Sequence, residues 1–283
     1  MEEEFLTQRP SARGVKSFRH HVTDETLMRY NKIACALHAV QGVMMLVVSQ
    51  VVESIKDFKK EVTTSYLTYN DDSHSLENNT KTIFHVEIGL VSAVFLLMSA
   101  AAHGLVVIKF STYLEHLRVE TNPYRWWEYS VSSSLMICAI AMLFGCYDLG
   151  SLLLIFFVNA SMCFFGHLME LLNPPDRRST DWTPFFMGCW AGIAPWLVIL
   201  LYFLGGGNFS RIPGFVYGIL IGYAVFFNTF PVNMVLQYRR VGRWSEYRFG
   251  ELGYIVLSLL SKSLLAWLVF GGTFQPNGDD DQS

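Results

Sequence analysis

The segment Leu257-Ser258-Leu259-Leu260-Ser261-Lys262-Ser263-Leu264 places one lysine in the middle of the apolar stretch Glu251–Phe270. A charged lysine deep in hydrocarbon costs at least about 2.5 kcal/mol, so such residues usually mark a function. Lys262 can avoid this cost by losing its proton, or by becoming a protonated imine beside a carboxylate, as desolvated lysines can. The plainer alternative is a side chain that extends to the membrane surface, but long apolar flanks on both sides put that surface out of reach.

The composition is that of an integral membrane protein. Of 283 residues, 52% are hydrophobic and only 16% are charged, against roughly 25% in soluble domains. Apolar runs of about 20 residues recur, and each can cross a bilayer core of about 30 Å. The first 30 residues lack an apolar core, so we expect no cleavable signal peptide. The cysteines lack metal-site spacing, which predicts buried small side chains and no bound metal.

The apolar runs predict an all-α membrane protein, a single domain over 1–283 built as a seven-transmembrane-helix bundle. The cytoplasmic side is expected to hold more lysine and arginine. With the N-terminus inside, fifteen of these residues are cytoplasmic and five are extracellular. The N-terminal segment 1–30 is therefore predicted to be cytoplasmic, the acidic tail 271–283 extracellular, and the membrane the plasma membrane. The predicted spans are 33–52, 86–110, 124–146, 150–171, 184–205, 213–238 and 250–270.

The long first outer loop, 53–85, predicts an extracellular β-hairpin. Residues 61–69 and 81–86 alternate apolar and polar side chains, and the turn-rich Asn70-Asp71-Asp72-Ser73 lies between them. A lone hairpin is marginally stable in water. We therefore expect this one to pack on its own bundle or to pair with a second copy of the chain.

The third span carries the acidic partner that Lys262 would need. Asn122-Pro123 is a helix-start signal, with asparagine as the cap. Glu128 and Ser132 share one helix face, and Arg125 lies one turn earlier. Counted from the cytoplasmic start of each span, Glu128 is predicted to lie about 8 Å into the membrane and Lys262 about 12–15 Å. Because side chains lean toward the helix N-terminus, a pair between the two is feasible.

The other acidic residues of the spans are interpreted differently. Glu87, Glu170 and Glu251 all lie near predicted span ends, where water can solvate a carboxylate. We therefore predict that these three are interfacial, which leaves Glu128 as the strong acidic candidate inside a span.

Several uncharged polar side chains are predicted to reach the same pocket. Span one carries His38, and span two carries Ser99 and His103 four residues apart. A buried neutral histidine with a backbone or serine partner is the alternative interpretation of each histidine. Ser258 precedes Lys262 by one turn, so a hydroxyl faces the amine there.

The sixth span carries a kinked aromatic stretch, Phe226-Phe227-Asn228-Thr229-Phe230-Pro231. An aromatic run at helical spacing is more often plain core than a ligand site. The proline kink and the lysine on the next span favour a slot for a flat apolar ligand.

Together these features resemble the microbial rhodopsins: a lysine in the middle of the last of seven spans, an Arg-x-x-Glu near the start of the third, and an aromatic-proline kink in the sixth. Among them the chain resembles the heliorhodopsins most, whose N-terminus is cytoplasmic, as the charge distribution indicates here. The resemblance covers the membrane domain but not the first 30 residues or the acidic tail. The matching features are segment 122–136, Ser99 with His103, His38, Ser258-x-x-Ser261-Lys262 and the long first outer loop.

The resemblance implies a covalently bound all-trans retinal on Lys262, held as a Schiff base. Glu128 would be the sole counterion, and Ser99 and Ser132 would stabilise its carboxylate. The other residues expected to surround the retinal are Ser258, Ser261, Met136, Phe227 and Phe230.

The resemblance also implies a proton-accepting cluster of His38 and His103, with Arg125, on the cytoplasmic side of the imine. The hairpin of this family helps to form a homodimer, so the partners expected are the lipid bilayer, a second copy and an unknown cytoplasmic signalling protein. Neither an enzyme nor a nucleic-acid-binding protein is indicated.

Three functions stay open at the level of sequence. The leading hypothesis is a light sensor that pumps no ions, because a vectorial pump needs a proton donor beyond the imine and the third span has Ala139 and Ile140 at the position that could hold one. The second is a light-gated or light-driven proton conductor. The third is a seven-span transporter or enzyme that uses Lys262 without retinal.

Overall fold

A computed structural model describes residues 21–206 and 214–272. The N-terminal residues up to 20 and the acidic tail from 273 onward lie outside these ranges. Within them the chain is mostly helical, with one two-stranded sheet. The elements are α1 Asp24–Val51, α2 Glu53–Lys56, β1 Lys59–Asn70, β2 Ser75–Glu87, α3 Ile88–Ile108, α4 Phe110–Arg118, α5 Pro123–Leu143, α6 Leu149–Leu172, α7 Thr183–Gly205, α8 Gly214–Tyr238, a short 3-10 helix Gly242–Ser245, and α9 Tyr247–Gly272.

Six helices of the described part are long and apolar enough to cross a membrane, namely α1, α3, α6, α7, α8 and α9. The 21-residue α5 is less apolar because it carries Arg125, Glu128 and several serines. It nevertheless packs between α3 and α6, where its polar side chains are shielded from lipid. The count of seven spans and their orientation stay predictions.

The outer faces of the helices are apolar, as expected for contact with lipid. Val40 on α1, Leu154 on α6 and Trp190 on α7 are 65%, 69% and 81% exposed. The side chains that fill the interior come from α3, α5 and α9, among them Phe95, Ile137 and Leu265. An apolar exterior around a partly polar interior makes this an integral membrane protein. One cysteine, Cys189 on α7, is exposed on the outer surface, contrary to the expected burial.

The predicted hairpin is present and is longer than expected. Strands β1 and β2 pair antiparallel from Lys59 opposite Glu87 to Asn70 opposite Ser75. The base of the hairpin packs on its own bundle, since the Thr63 amide donates to the Tyr147 carbonyl at 2.9 Å and Val62 is buried in the core. The upper part is exposed and carries apolar side chains. Pairing with a second copy stays a prediction.

One predicted boundary was wrong, and one helix was not predicted. The first span was placed at 33–52, but α1 begins at Asp24, where Thr23 caps the helix by accepting from the Thr26 amide. Part of segment 1–30 is therefore helical. The predicted spans leave 111–123 as a connection, yet α4 occupies much of this stretch, and its Tyr113 and Leu117 are buried against the bundle. An amphipathic helix of nine residues is too short to register as an apolar run.

We expect Gly166→Ala to destabilise the bundle. A methyl group at Gly166 on α6 would overlap the indole of Trp126 on α5, and that indole is held because its Nε1 donates to Glu170 at 2.7 Å. Overpacking of this kind costs about 1–3 kcal/mol, measurable as a lower thermal midpoint in detergent. Gly218→Ala on α8 is the matched control, since nothing lies within 4 Å of its added methyl. Equal midpoints for the two variants would contradict this packing.

Candidate functional site

Lys262 and Glu128 form a buried ion pair inside the bundle. Lys262, on α9, is 2% exposed, and its Nζ donates to Glu128 Oε1 on α5. Ser99, on α3, completes a three-way contact, because its Oγ accepts from Lys262 Nζ at 2.9 Å and donates to Glu128 Oε1 at 2.7 Å. The ammonium group also lies 4.9 Å from the centroid of the Tyr129 ring. Three helices thus converge on one amine.

The serines around this pair differ in what they contact. Ser132, one turn beyond Glu128, is buried beside its carboxylate but lacks a hydrogen bond of regular geometry. On α9 the Ser261 hydroxyl donates to the Ser258 carbonyl at 3.4 Å. The Ser258 hydroxyl is buried beside the Tyr129 phenol but also lacks a hydrogen bond of regular geometry. Buried hydroxyls of this kind are places where water or a ligand can bind.

A large apolar cavity of about 490 Å³ begins at Lys262 and extends between α5, α6, α7 and α8. This volume lies within the range of ordinary cofactor pockets. Of the five residues predicted to surround the ligand, four are at its wall, namely Ser261, Met136, Phe227 and Phe230, whereas Ser258 is not. Tyr129 and Phe230 meet edge to face, with ring centroids 5.4 Å apart. The aromatic stretch of the sixth span therefore lines the cavity and is not plain core.

Further aromatic residues near this cavity were not anticipated from the sequence. Trp196 on α7 lies 5.0 Å from Tyr223 between ring centroids, and Tyr223 lies 4.7 Å from Phe227. Trp126 and Tyr129 on α5 also line it. The sequence signal that could have pointed to Trp196 is its position directly after Pro195, because a proline inside a helix can kink it.

The two histidines are brought together next to the ion pair. The rings of His38 and His103 stack, with centroids 5.9 Å apart and an interplanar angle of 15°. His103 Nδ1 is 2.8 Å from Asn31 Oδ1. His38 is fully buried, and neither of its ring nitrogens has a partner among the described residues. A buried imidazole with two open nitrogens leaves room for water or a transferred proton.

Arg125 was predicted to belong with these histidines, and the structure gives it other partners. Its guanidinium forms ion pairs with Glu170 on α6 and Glu251 on α9. It also stacks 4.0 Å from the centroid of the Tyr254 ring. Arg125 is thus the centre of a separate cluster, which we call the carboxylate triad: Arg125, Glu170 and Glu251.

The interpretation of Glu170 and Glu251 as interfacial was wrong, because each is 2% exposed. Their position near helix ends suggested solvation. Instead, Trp126 of α5 and Tyr247 of α9 cover Glu170. Tyr113 of α4 covers Glu251. The missed signal was that Arg125 lies at the same predicted end of its own span, where a buried arginine needs a carboxylate. Glu87 agrees better with its interpretation, since it is partly exposed and pairs with Lys59 at 3.3 Å.

The fold is that of the microbial rhodopsins. The structure of xanthorhodopsin, a light-driven ion pump with dual chromophore, superposes with a TM-score of 0.59 at 11% identity, covering 88% of this chain and 92% of that one. The structure of schizorhodopsin 4 superposes with a TM-score of 0.54 at 13% identity, covering 88% of this chain and 99% of that one. The structure of a light-driven proton pump from Leptosphaeria maculans superposes with a TM-score of 0.51 at 12% identity, covering 87% of this chain and 93% of that one. These identities establish a shared fold alone.

The family is given by the sequence itself. Residues 27–274 match the heliorhodopsin family model, so the chain belongs to the heliorhodopsins, and the resemblance noted from its motifs is confirmed. Curated protein sequences yield no match. Membership supports a retinal-binding rhodopsin, a class that contains photoreceptors and ion pumps rather than typical enzymes.

We expect Arg125→Ala to destabilise the protein strongly. Removing the guanidinium leaves Glu170 and Glu251 buried without their cation, and breaking a buried pair in this way costs about 3–5 kcal/mol. The measurement is the thermal or denaturant midpoint in detergent. Arg178→Ala, which changes an exposed arginine in the loop after α6, is the control and should change the midpoint little. An equally small effect at Arg125 would show that the triad does not stabilise the fold.

Proposed function

We propose that this protein is a light-sensing photoreceptor in which all-trans retinal is bound covalently to Lys262 as a protonated Schiff base. The observation that supports this best is a buried amine paired with one carboxylate at the end of an aromatic cavity of about 490 Å³. A bare ammonium group in that position costs several kcal/mol. The neighbouring cavity accounts for a charged group at this position, because a ligand in the cavity would form a covalent bond to the amine.

The residues present fit retinal in shape and chemistry. The cavity wall is mainly apolar and aromatic, as a flat polyene requires, and its polar end is at Lys262. The Tyr223 hydroxyl, on a middle turn of α8, is buried without a hydrogen-bond partner among the described residues, and its ring packs against Trp196 and Phe227 of the cavity wall. Retinal, when bound, supplies light absorption and a light-driven change of shape.

Glu128 is proposed as the sole counterion of the bound cofactor. It is the carboxylate that contacts Lys262 Nζ, and Ser99 fixes the position of its oxygen. A nearby negative charge favours the protonated form of a cationic nitrogen. Moving the positive charge away from Glu128 would weaken this stabilisation and favour proton release toward His38 and His103, which lie beside the pair.

The distribution of acidic residues favours sensing over pumping. In the described helices, the carboxylates that are buried or nearly so, Glu128, Glu170 and Glu251, all lie in the half of the bundle that contains the N-terminus of α5 and α9. On the other side of Lys262 the third span has buried Ala139. A vectorial pump needs a donor there. Orientation with the N-terminus inside, a homodimer formed through the hairpin and a cytoplasmic signalling partner belong to this proposal.

The first test is pigment formation. The purified protein supplied with all-trans retinal should become coloured, and Lys262→Ala should abolish the colour because the amine is the attachment atom. Glu128→Gln should keep the pigment but shift its absorption strongly to the red, since the counterion no longer stabilises the positive charge of the ground state. Lys109→Ala, at an exposed lysine after α3, is the control and should leave the spectrum unchanged. A coloured Lys262→Ala protein would disprove the attachment site.

The second test separates sensing from proton conduction. Illuminated cells that contain the pigment should show no sustained change of external pH, because the described helices offer no carboxyl donor on the opposite side to replace a proton that leaves the imine. The reading is taken with a pH electrode, with and without an uncoupler. A clear pH change that the uncoupler abolishes would replace the sensor by the alternative, a light-driven or light-gated proton conductor.

A further inference from the structure

The side-chain amide of Asn31, on α1, has its orientation fixed by a neighbouring carbonyl. Its Nδ2 donates to the Leu27 carbonyl at 2.9 Å, and the residue is buried. A carbonyl oxygen only accepts hydrogen bonds, so the group that faces it must be the NH2 of the amide. The opposite orientation would bring two acceptor oxygens together and leave buried polar groups unpaired, which is costly. The Oδ1 oxygen of Asn31 is therefore the atom that faces His103.

The phenol of Tyr113, on α4, agrees with this orientation. Its hydroxyl donates to Glu251 at 3.0 Å, and a carboxylate that is paired with Arg125 can only accept. Because the phenol proton is directed at Glu251, the phenol oxygen can only accept from the Asn31 side chain that it contacts. Leu27 and Tyr113 thus both present acceptors to Asn31, and only the NH2 group of its amide matches them.

The orientation of Asn31 determines which ring nitrogen of His103 carries hydrogen. His103 Nδ1 is 2.8 Å from Asn31 Oδ1, and an amide oxygen offers only lone pairs. Nδ1 must therefore be the N–H donor of the ring. A neutral imidazole has one N–H group, so Nε2 has no hydrogen and presents a lone pair. The hydrogen bond at one nitrogen of a histidine in this way sets the state of the other.

The Nε2 lone pair is open. Among the described residues, the bond to Asn31 is the only hydrogen bond made to the His103 ring. His103 and Glu128 line the same small cavity of about 30 Å³, which is close to the share of one water molecule in the liquid. Glu128 is already balanced by Lys262, so its charge does not hold a second cation on the imidazole. Nε2 is therefore the position at which this neutral ring can take up a proton.

We propose that Asn31 is a positioning residue that holds His103 as the Nδ1–H tautomer, so that Nε2 is the atom that accepts the proton after illumination. The acceptor role rests on the proposed function, whereas the tautomer in the dark does not. When the proton arrives, an N–H bond forms at Nε2 and the ring becomes an imidazolium, while the Nδ1–H group keeps its bond to Asn31. That bond is then charge-assisted and stronger. The donors of Asn31 and Tyr113 lead from it to the carboxylate of Glu251, which favours the positive charge on the ring.

This arrangement makes His103 a store for a proton and not a relay. A histidine relays a proton when it accepts at one nitrogen and releases from the other. Here the proton at Nδ1 faces an amide oxygen of Asn31, which does not take it over. The ring therefore loses the proton from Nε2, the atom that received it, and this loss restores the starting tautomer. A proton held in this way returns to the side from which it came, in agreement with a sensor that moves no net charge.

The tautomer is tested by nitrogen NMR of the full-length protein with isotope-labelled histidines, in the dark, with and without retinal. A ring nitrogen that carries hydrogen and one that does not give well-separated signals, and His103→Gln identifies the signals of His103. We expect the wild type to have hydrogen on Nδ1 and none on Nε2. Asn31→Leu should lose this pattern, because Nδ1 then has no acceptor. Gln41→Leu is the matched control: it removes another amide of α1 that donates to a carbonyl of its own helix, Leu37 at 3.1 Å, and it should leave the His103 signals unchanged.

The outcomes separate the possible failures. A wild type with hydrogen on Nε2 in the dark would overturn the proposal, and this spectrum decides even if a variant fails to fold. An Asn31→Leu protein that keeps the wild-type pattern, or a Gln41→Leu protein that loses it, would refute the positioning role. In pigment illuminated and then trapped by cooling, a new N–H signal should appear at Nε2 while the Nδ1 signal is retained, and its absence would refute the acceptor role of His103. A colourless protein with the expected dark pattern would refute the retinal proposal alone.

Discussion

The buried ammonium group of Lys262 is the constraint on which the rest of the structure depends. Hydrocarbon and packed protein solvate a charge poorly, so the bundle must supply a carboxylate and a hydroxyl at one point from separate helices. Glu128 on α5 and Ser99 on α3 do so. This need explains why α5, which carries Arg125, Glu128 and several serines, lies between α3 and α6, where lipid does not reach its polar face.

The interior is divided by Lys262 into two unlike halves. Toward the N-terminal ends of α5 and α9 it is polar, with the stacked histidines, Asn31 and the carboxylate triad connected by hydrogen bonds and a small cavity. Toward α7 and α8 it is an aromatic cavity. Such a division fits the proposed function, in which a proton released after illumination stays on the polar side, since no carboxyl group of the described α5 lies beyond Glu128.

Residues with strong local signals were predicted well from the sequence. A lysine in an apolar run, an Asn-Pro helix start and a hairpin turn each depend on a few neighbours along the chain, and the structure shows Asn122 capping α5 by accepting from the Arg125 amide at 3.2 Å. Glu170 and Glu251 were misjudged because the side chains that bury each of them come from other helices, which are distant in the sequence. Trp196 was missed for the same reason: its role depends on Tyr223 and Phe227 of another helix.

The sequence by itself determined the membrane class, the central lysine and its feasible partner, because composition, apolar length and helical spacing act locally or add up along the chain. Only the tertiary structure decided which carboxylates are sealed from water, which cation each one meets, and where a cavity of about 490 Å³ opens beside the amine. Charge pairing and cavity shape are properties of several helices packed together. Since a single span contains neither partner nor cavity, no pattern within it could specify them.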